Sequence, residues 1–468
     1  MAERRRVDPA RLAAFEVLKA VRADDAYANL VLPHVLAKHG LSGRDAAFAT
    51  ELASGALRRQ GTYDAILAAS IDRPSAKVQA QVRDALRLGC HQLLSMRVPD
   101  HAAIDATVEL VKSVSGPGAA SFANAVLRRV SRRPLAAWVD ELTPEAGLDR
   151  LALEFSHPAW VVSLLADALA LPPSGASVPP SGASDGAEWG LRQLLAADNA
   201  APRVVLVARP GRATREELPG EPTALSPYGV VLAGGSPGEV TAVRERRAGV
   251  QDEGSQLVAI AAAEAPLDGR DERWLDLCAG PGGKSALLAA LAAERGALLV
   301  ANEAQPHRAG LVAQNLTDAL GVAGVVAGDG TRPPYRPGSF DRVLVDAPCS
   351  GLGALRRRPE SRWRRTAADI EALVPLQVAL LGSALELVRP GGVVLYATCS
   401  PVLAETEGVV ASVLATRDDV ALEPIAGLAG AVPDAAGPVP GTVQLWPHRH
   451  ATDAMFMALL RRSTTPSA

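Results

Sequence analysis

The sequence predicts a protein of at least two domains, an all-α N-terminal domain followed by an α/β domain built on a parallel sheet. The chain has 468 residues, about three times the length of a typical domain. Apolar residues follow a helical period from Asp8 to Pro134 without strand-like alternation. From about Asp271, short apolar strands alternate with Ala/Leu-rich helices, which is the pattern of a parallel sheet covered on both faces.

Composition argues against membrane, secreted and metal-binding classes. Apolar residues make up 48% of the chain, yet none of its stretches approaches the roughly 18 to 20 uninterrupted apolar residues that span a bilayer. The charged start Met1–Arg6 lacks the apolar segment of a secretory signal, which predicts a cytoplasmic protein. The cysteines Cys90, Cys278, Cys349 and Cys399 lack the paired spacing of zinc ligands, so we expect neither a metal nor a structural disulfide.

The net charge of −3 conceals an asymmetry between the N-terminal third and the rest of the chain. Residues 1–135 carry 20 Lys and Arg against 13 Asp and Glu, a balance of +7, whereas the remainder has a balance of −10. A basic domain of this kind is the expected footprint of RNA binding, although a solvated surface has a similar composition.

Residues 1–135 are predicted to form the helical domain, with six or seven helices. Leu12, Phe15, Leu18 and Val21 fall at helical spacing, and further amphipathic runs follow. Four phrases of the domain resemble the NusB-like RNA-binding fold: Ala26–Asn29, Leu86–Leu94, Pro99–Ile104 and Phe122–Arg129. The resemblance implies a helical module that binds RNA or protein and carries no chemistry.

Residues 136–250 are predicted to form a small α+β subdomain that links the two main domains. It combines a helix at Trp160–Leu169 with strand-like runs such as Arg203–Val207. Within it, residues 171–190 are rich in Pro, Ser, Gly and Ala and contain a near-repeat, which predicts a disordered insert.

Residues 251–463 are predicted to form the catalytic domain, because five strands there each end in a loop of small or polar residues. Ligands of open α/β sheets bind beyond the carboxyl ends of the strands. The predicted strands are Trp274–Leu277, Leu298–Ala301, Gly324–Ala327, Arg342–Val345 and Val393–Tyr396.

The loop after the first of these strands is glycine-rich and is a candidate cofactor site. It consists of Cys278, Ala279, Gly280, Pro281, Gly282, Gly283 and Lys284. Glycines let the backbone approach a ligand closely, and such a loop fits NAD, phosphate or other nucleotides. Its spacing is not that of a P-loop, because the four-residue spacer before Gly-Lys is missing.

Acidic residues follow the next three strands. Glu303 can accept hydrogen bonds from ribose hydroxyls, which fits NAD as well as S-adenosylmethionine. Asp329 and Asp346 follow the third and fourth strands. Each acid taken singly could be a helix cap or a turn former. Their occurrence at successive strand ends favours a binding site.

Two cysteine loops distinguish the classes that remain. Asp346–Gly351 reads Asp-Ala-Pro-Cys-Ser-Gly, and Tyr396–Pro401 reads Tyr-Ala-Thr-Cys-Ser-Pro. With these motifs, residues 251 to about 461 closely resemble the RNA cytosine carbon-5 methyltransferases of the Sun/Fmu type, which have a Rossmann-like fold and use S-adenosylmethionine. The Glu at 303, where that family usually has Asp, and the Ala after Asp453, where it usually has Gly, are departures.

The resemblance implies a role for each site residue. Cys399 is the nucleophile and Cys349 assists product release. The loop from Cys278 to Lys284 lines the methionine and the sulfonium of the cofactor, Glu303 holds the ribose, and Asp329 reads the adenine amino group. Asp346 belongs to both the catalytic and the cofactor-binding residues and would hydrogen-bond the base edge near N3 and the amino group. The fusion to a NusB-like domain resembles bacterial 16S ribosomal RNA methyltransferases, which implies 16S ribosomal RNA or a small-subunit assembly intermediate as partner. Nothing in the sequence demands an oligomer, so we expect a monomer.

The chemistry explains why these residue types are needed. Carbon 5 of cytosine is too weakly nucleophilic to attack a methyl sulfonium unless a thiolate first adds at carbon 6. Asp346 can stabilise the charge that develops on the base during this addition. Lys284 can lower a thiol pKa or position the base. The expected product is 5-methylcytosine in ribosomal RNA.

A run of arginines follows the Cys349 loop and is a candidate RNA contact. Arg356, Arg357, Arg358 and Arg362 surround Trp363, with two further arginines beyond it. Arginine binds phosphates bidentately, and the tryptophan could stack a base or pack beneath the loop. A charge run elsewhere is often a solvated face.

Two other functions compete with an active RNA methyltransferase. A helical RNA-binding module that carries an inactive methyltransferase body predicts decay of the catalytic loops, which the sequence does not show. An NAD-dependent oxidoreductase fits the glycine loop and Glu303, but it leaves Cys349 and Cys399 without a role and lacks a candidate hydride-transfer site.

Overall fold

The computed structural model describes residues 7–72, 74–170, 183–428 and 430–464. The chain divides into a helical unit, residues 1–163, 195–200 and 355–364, and a sheet unit, residues 164–194, 201–354 and 365–468. The segment 136–250, predicted to be a linking subdomain, is therefore divided: its first part belongs to the helical unit and its strands belong to the sheet unit.

The helical unit begins with seven helices between residues 9 and 130, in agreement with the prediction of six or seven. Asp8 caps the first helix by accepting a hydrogen bond from the backbone N–H of Arg11 at 3.0 Å. The apolar stripes of the helices meet in one core. The helices are α1 Pro9–Ala23, α2 Ala28–Lys38, α3 Gly43–Arg58, α4 Gln60–Ser70, α5 Ala80–Leu94, α6 Asp100–Ser115, α7 Pro117–Val130, α8 Leu135–Leu142 and α9 Leu148–Phe155.

Two helices flank the segment predicted to be a disordered insert. α10 spans Ala159–Ala170, as predicted, and α11 spans Ala183–Asn199. Residues 171–182 of the predicted insert lie outside the described residues. Residues 183–190, at the end of the predicted insert, form the first turns of α11 in the structure.

The sheet unit contains a small antiparallel sheet with the strand order β2-β3-β1-β4. Its buried side chains form a separate cluster that includes Leu206 and Val230. The elements are β1 Val205–Ala208, β2 Gly220–Pro222, β3 Gly229–Leu232, β4 Ala248–Val250 and the short helix α12 Thr241–Arg244.

The main sheet has the strand order β10-β12-β9-β8-β5-β6-β7, with β11 paired to β12. Strands β5 to β9 pair in parallel, whereas β12 runs antiparallel to both β9 and β10. The strands are β5 Arg273–Asp276, β6 Leu298–Glu303, β7 Val322–Ala327, β8 Phe340–Asp346, β9 Val388–Thr398, β10 Val420–Glu423, β11 Val443–Gln444 and β12 Phe456–Arg462. The five predicted strands correspond to β5 to β9.

Helices cover the main sheet on both faces, as the sequence predicts. One face packs against α13 and α14, and the other packs against α17 and α18. The remaining helices are α13 Glu253–Glu264, α14 Gly283–Glu294, α15 Pro306–Asn315, α16 Ser361–Arg364 in the helical unit, α17 Ala367–Leu387, α18 Glu407–Leu414 and α19 Pro447–His450.

Helix α17 is, within the described part of the chain, the one helix long and apolar enough to cross a membrane by length and composition. Its side chains Leu380, Leu381, Ala384 and Leu385 belong to the buried cluster beneath strands β8 and β9. The apolar composition of α17 is therefore that of a helix packed against a sheet.

Candidate active site

The carboxyl ends of the parallel strands bring the predicted site residues to one edge of the main sheet. Strand β5 leads into the Cys278 loop, and β6 ends at Glu303. Asp329 follows β7, Asp346 ends β8, and Cys399 follows β9. Parallel pairing places these five strand ends at the same edge, where open α/β sheets bind their ligands.

The glycine loop between β5 and α14 leaves no room for a side chain at Gly280. A Cβ built there would lie 2.2 Å from Glu303 Oε2 and 2.8 Å from Arg308 Nη2. The backbone N–H of Gly280 donates to Glu303 Oε2 at 3.0 Å, and Arg308 donates to the Gly280 carbonyl at 2.7 Å. A side chain at Gly280 would therefore displace the Glu303 carboxylate or the Arg308 guanidinium, which lie directly on the loop.

Asp276, at the end of β5, anchors the other side of this loop. Its buried Oδ2 accepts a hydrogen bond from the Ser285 hydroxyl at 2.6 Å. The pKa of Asp276 is raised to about 7. Burial is the largest cause and the charge of Asp346 adds to it, whereas the Ser285 hydrogen bond lowers the pKa. Burial likewise raises the pKa of the Cys278 thiol well above its usual range, so Cys278 lines the loop as a neutral thiol.

Glu303 and Asp329 keep acceptor capacity at the next two strand ends. Glu303 is buried, and its carboxylate accepts hydrogen bonds from the backbone N–H groups of Gly280 and Gln305. Asp329 is half-exposed, and Oδ1 accepts from both the N–H and the hydroxyl of Thr331, which lowers the pKa of Asp329. An ionised carboxylate offers about four acceptor positions, so both residues can accept further hydrogen bonds.

The two cysteines of the predicted mechanism meet. The Sγ atoms of Cys349 and Cys399 lie 3.4 Å apart, and both residues are half-buried. The hydrogen bond between them lowers the pKa of Cys399 and raises that of Cys349. The 3.4 Å separation suits a donor on either sulfur, and the opposite pKa shifts favour a Cys399 thiolate that accepts a hydrogen bond from a Cys349 thiol. The thiolate is the nucleophilic form of cysteine.

Charged side chains set the field around this pair. Lys284 Nζ lies 2.9 Å from Asp346 Oδ2. Beyond the hydrogen bond from Cys349, the positive charge of Lys284 lowers the pKa of Cys399, whereas burial and the charges of Asp346 and Asp453 raise it. The charges of Lys284, in the glycine loop, and of Asp346, at the end of β8, thus both act on Cys399.

Backbone hydrogen bonds hold the two cysteine loops against each other. The N–H of Gly353 donates to the Cys399 carbonyl at 2.9 Å, and the N–H of Ala454 donates to the Gly353 carbonyl at 2.8 Å. A Cβ at Gly353 would lie 2.2 Å from the Ala454 carbonyl oxygen. The Ala at 454, a departure from the family pattern, thus contributes its backbone to the Cys349 loop.

The arginine run is largely buried and is not exposed to solvent as a predicted RNA contact would be. Arg362 is 0% exposed and donates to the carbonyls of Ser156 and Asp198 and to Asn199 Oδ1, all within the helical unit. Its burial contradicts the prediction that Arg362 contacts RNA. The Trp363 ring fills the space beside Gly61, where a Cβ would lie 2.2 Å from the ring.

The other arginines of the run are also engaged. Arg356 is buried, and Arg358 lies with its guanidinium 4.9 Å from the ring centroid of Tyr27. Arg357 and Arg358 are half-buried. RNA contact by Arg356, Arg357 and Arg358 stays a prediction.

Three residues of the site are not predicted from the sequence. Asp276 belongs to the strand that precedes the glycine loop, and Arg308 lies in the first turn of α15. Glu405 lies between the cysteine loops. Their spacing along the chain carries no recognisable pattern. Within the described residues, no group of three or more His, Cys, Asp or Glu side chains is arranged to hold a metal ion.

The fold and the site define a methyltransferase with an appended helical domain. The model of the family described as 16S rRNA methyltransferase RsmB/F matches residues 265–461, and that of the NusB family matches residues 8–132. The chain belongs to the RsmB/F family of 16S rRNA methyltransferases. These matches confirm the predicted family and both predicted domain types.

Relatives of full length support the same assignment. The chain is 50% identical to Rv1407 of Mycobacterium tuberculosis, a protein named as a methyltransferase, over 98% of both chains. It is 33% identical to ribosomal RNA small subunit methyltransferase B of Pseudomonas putida, over 86% of this chain and 88% of the relative. The crystal structure of the protein PH0851 has the same fold, with a TM-score of 0.77 at 21% identity, and covers 98% of this chain and 99% of its own.

Proposed function

We propose that the protein transfers the methyl group of S-adenosylmethionine to carbon 5 of a cytosine in RNA, through a covalent bond between Cys399 and carbon 6. The 3.4 Å separation of the Cys349 and Cys399 sulfurs carries this proposal. Two thiols at adjacent strand ends suit a reaction that must both form and break a carbon–sulfur bond.

S-adenosylmethionine fits the residues at the carboxyl edge of the sheet. The glycine loop has no Cβ at Gly280 or Gly283, and around Gly283 a Cβ would meet nothing within 4 Å. Glu303 would hold the ribose hydroxyls and Asp329 the adenine amino group, since both carboxylates keep free acceptor positions. When bound, the cofactor supplies an electrophilic methyl group.

The attack begins at Cys399. Its thiolate adds to carbon 6 of the cytosine, and the electron pair of the carbon 5–carbon 6 double bond moves to make carbon 5 nucleophilic. Asp346, paired with Lys284, would accept a hydrogen bond from the amino group of the base, and a proton passed from this pair to nitrogen 3 would neutralise the negative charge that develops on addition.

Release requires that the bond between carbon 6 and sulfur breaks. After methylation, carbon 5 loses its proton to a base, and the electron pair of the carbon 5–hydrogen bond restores the double bond as the thiolate leaves. Cys349 is the thiol next to the departing Cys399 thiolate. We assign it to this step, because an S–H donated to the leaving thiolate lowers the barrier to release.

The proposed substrate is 16S ribosomal RNA, free or in an assembling small subunit. Family membership and the names of the relatives support this choice. The NusB-family helical unit is the proposed RNA-binding arm. The basic balance of residues 1–135 agrees with that role.

The test is methyl transfer from labelled S-adenosylmethionine to 16S ribosomal RNA, with transfer RNA as a comparison substrate. Cys399→Ala should abolish both methylation and the covalent protein–RNA adduct that survives denaturation. Cys349→Ala should accumulate this adduct. Cys90→Ala, in the helical unit, is the matched control and should behave as wild type. A Cys399→Ala protein that still methylates cytosine would overturn the mechanism, and a wild type inactive on every RNA would favour an inactive scaffold.

A further inference from the structure

A buried carboxylate lies between the two cysteine loops, and the proposed reaction does not use it. Glu405 ends the short 3-10 turn Leu403–Glu405 and is 0% exposed. The hydroxyl of Tyr396, on β9, donates to the backbone carbonyl of Glu405 at 2.8 Å and fixes the turn against the strand. Burial of a carboxylate is costly unless hydrogen bonds compensate it, so its contacts explain why it is tolerated there.

Four hydrogen bonds saturate the Glu405 carboxylate. Oε1 accepts from the backbone N–H of Ser350 at 2.7 Å and from the Gln377 side-chain amide at 3.1 Å. Oε2 accepts from the hydroxyls of Ser350 at 2.5 Å and Ser400 at 2.6 Å. Ser350 directly follows Cys349, and Ser400 directly follows Cys399. One carboxylate therefore joins the residues that follow both cysteines.

The residue before Cys349 is tied to the same group. The Gln377 amide that donates to Glu405 also donates to the Pro348 carbonyl at 2.9 Å. Gln377 is fully buried in α17, a long helix packed against the main sheet. The Cys349 loop is thus held on both sides of its cysteine, and the support extends to a rigid element of the fold.

We propose that Glu405 is a positioning residue that sets the distance and direction between the Cys349 thiol and the Cys399 thiolate. The inference rests on the proposed function, because it concerns the geometry in which that reaction begins and ends. Glu405 acts through Ser350 and Ser400 and has no direct role toward RNA or cofactor. Loss of its charge-assisted hydrogen bonds would free each loop to move by itself.

Electrostatics supports the same role. The hydrogen bond with Cys399 raises the pKa of Cys349, as do burial and the charge of Cys399, and the negative charge of Glu405 raises it further. Glu405 thereby helps to keep Cys349 protonated, which makes it the donor to Cys399. The hydrogen bonds of the carboxylate fix the positions of the two cysteine loops, and its charge favours a proton on Cys349.

The first measurement reports position and does not depend on methyl transfer. Diamide oxidises two adjacent thiols to a disulfide and is itself reduced to the hydrazine, taking up the two protons and two electrons. Peptide mass spectrometry of the full chain then gives the rate at which Cys349 and Cys399 cross-link. In Glu405→Gln the charge is lost and one acceptor oxygen becomes an amide donor, so the hydroxyls of Ser350 and Ser400 can no longer donate to it and must turn to accept. We expect cross-linking to slow by about 10-fold.

The second measurement is methyl transfer by the same variant. We expect kcat to fall roughly 100-fold with little change in KM for RNA, because a displacement of about 1 Å in a reacting group has an effect of this size. Glu407→Gln, two residues further on in the first turn of α18, is the matched control and should retain the wild-type rates of cross-linking and methylation. Thermal unfolding checks that each variant is folded.

The outcomes separate the two proposals. A folded Glu405→Gln protein that cross-links at the wild-type rate overturns the positioning role, whether or not methylation is lost. Slower cross-linking in a protein whose wild type methylates no cytosine would support the positioning of the cysteines and overturn the proposed function alone. If Glu405→Gln does not fold, Ser400→Ala removes the arm to one loop only, and wild-type cross-linking in that variant also overturns the role.

Discussion

Lys284 and Asp346 form an ion pair with Nζ and Oδ2 2.9 Å apart, at the point where the glycine loop meets the end of β8. The two charges act on the same thiol in opposite senses. The hydrogen bond from Cys349 has the largest effect on the pKa of Cys399 and lowers it. The charge of Lys284 also lowers this pKa, and the charge of Asp346 raises it. This opposition yields a test in which two variants must shift one property in different directions.

We predict that Lys284→Met moves the pH dependence of Cys399 alkylation to higher pH and that Asp346→Asn moves it to lower pH. Only the thiolate reacts with iodoacetamide, so the alkylation rate rises as the pH passes the pKa. Without Lys284 the thiolate loses a favourable charge and faces an unpaired Asp346. Without Asp346, the thiolate keeps the favourable charge of Lys284 and no longer faces the opposing charge of the carboxylate.

The measurement is the rate of Cys399 alkylation between pH 6 and 10, followed by peptide mass spectrometry. Cys90 serves as the internal control, since burial raises its pKa and it lies in the helical unit. Shifts in the same direction for both variants would contradict the electrostatic assignment.

Asp276 should make the stability of the protein fall as the pH rises from about 4 to about 7. Burial raises its pKa in the folded protein to about 7, while an unfolded aspartate titrates near 3.9. Between these values the folded state binds more protons than the unfolded state. The free energy of unfolding therefore decreases with pH through this group, by up to about 1.4 kcal/mol per pH unit.

Asp276→Asn should remove this component, because an amide oxygen can still accept the Ser285 hydrogen bond and carries no charge. We expect the variant to gain stability relative to wild type at pH 8 and to gain little at pH 4. Urea unfolding of both proteins at several pH values measures the difference. A difference between the two proteins that does not change with pH would show that Asp276 is ionised in the folded state at all of them.

Periodicity and strand–helix alternation predict β5 to β9 because those strands are apolar runs between helices, and all of them except the edge strand β7 are largely buried. Strands β10 and β12 were missed. β12, Phe456–Arg462, follows the short elements β11 and α19 and pairs antiparallel with β9. It therefore lies outside the alternation of parallel strands and long helices from which the other strands are predicted.

The residues of the site also divide into those that the sequence predicts and those that it does not. Cys349, Cys399 and Asp346 could be found because each stands in a short motif at a strand end. Glu405 could not, since its role depends on contacts with Ser350 and Gln377 that only the folded chain creates. The RNA contact predicted for Arg362 fails for a related reason. The sequence shows its charge, but only the structure shows that its guanidinium donates to carbonyls of the helical unit.

Gly280→Ala should weaken S-adenosylmethionine binding by at least 10-fold. The added Cβ would lie 2.2 Å from Glu303 Oε2, so either the loop or the proposed ribose-binding carboxylate must move. Isothermal titration of the full chain with the cofactor measures the loss.

Gly310→Ala in α15 is the matched control for Gly280→Ala. A Cβ at Gly310 meets nothing within 4 Å, and alanine improves helix propensity by about 1 kcal/mol. We expect wild-type affinity for the cofactor and equal or higher stability. Unchanged affinity in Gly280→Ala would argue against a cofactor on this loop.

Arg362→Met should destabilise the helical unit by about 3 to 5 kcal/mol, because the substitution leaves buried acceptors without their donor. Those acceptors are the carbonyls of Ser156 and Asp198 and Oδ1 of Asn199. Burial lowers the pKa of Arg362 to about 10, which still leaves the guanidinium charged at neutral pH. Burial of this charge is itself unfavourable, and the hydrogen bonds that Arg362 donates to the three acceptors offset it.

A phosphate ligand would behave differently, and salt dependence separates the two roles. Loss of one phosphate contact reduces the slope of log affinity for RNA against log salt by about one. We expect Arg362→Met, measured at a temperature where it is folded, to keep the wild-type slope while its melting temperature falls. The exposed Arg132→Met should change stability by no more than about 0.5 kcal/mol. A reduced slope with an unchanged melting temperature in Arg362→Met would restore the RNA-contact role that its burial contradicts.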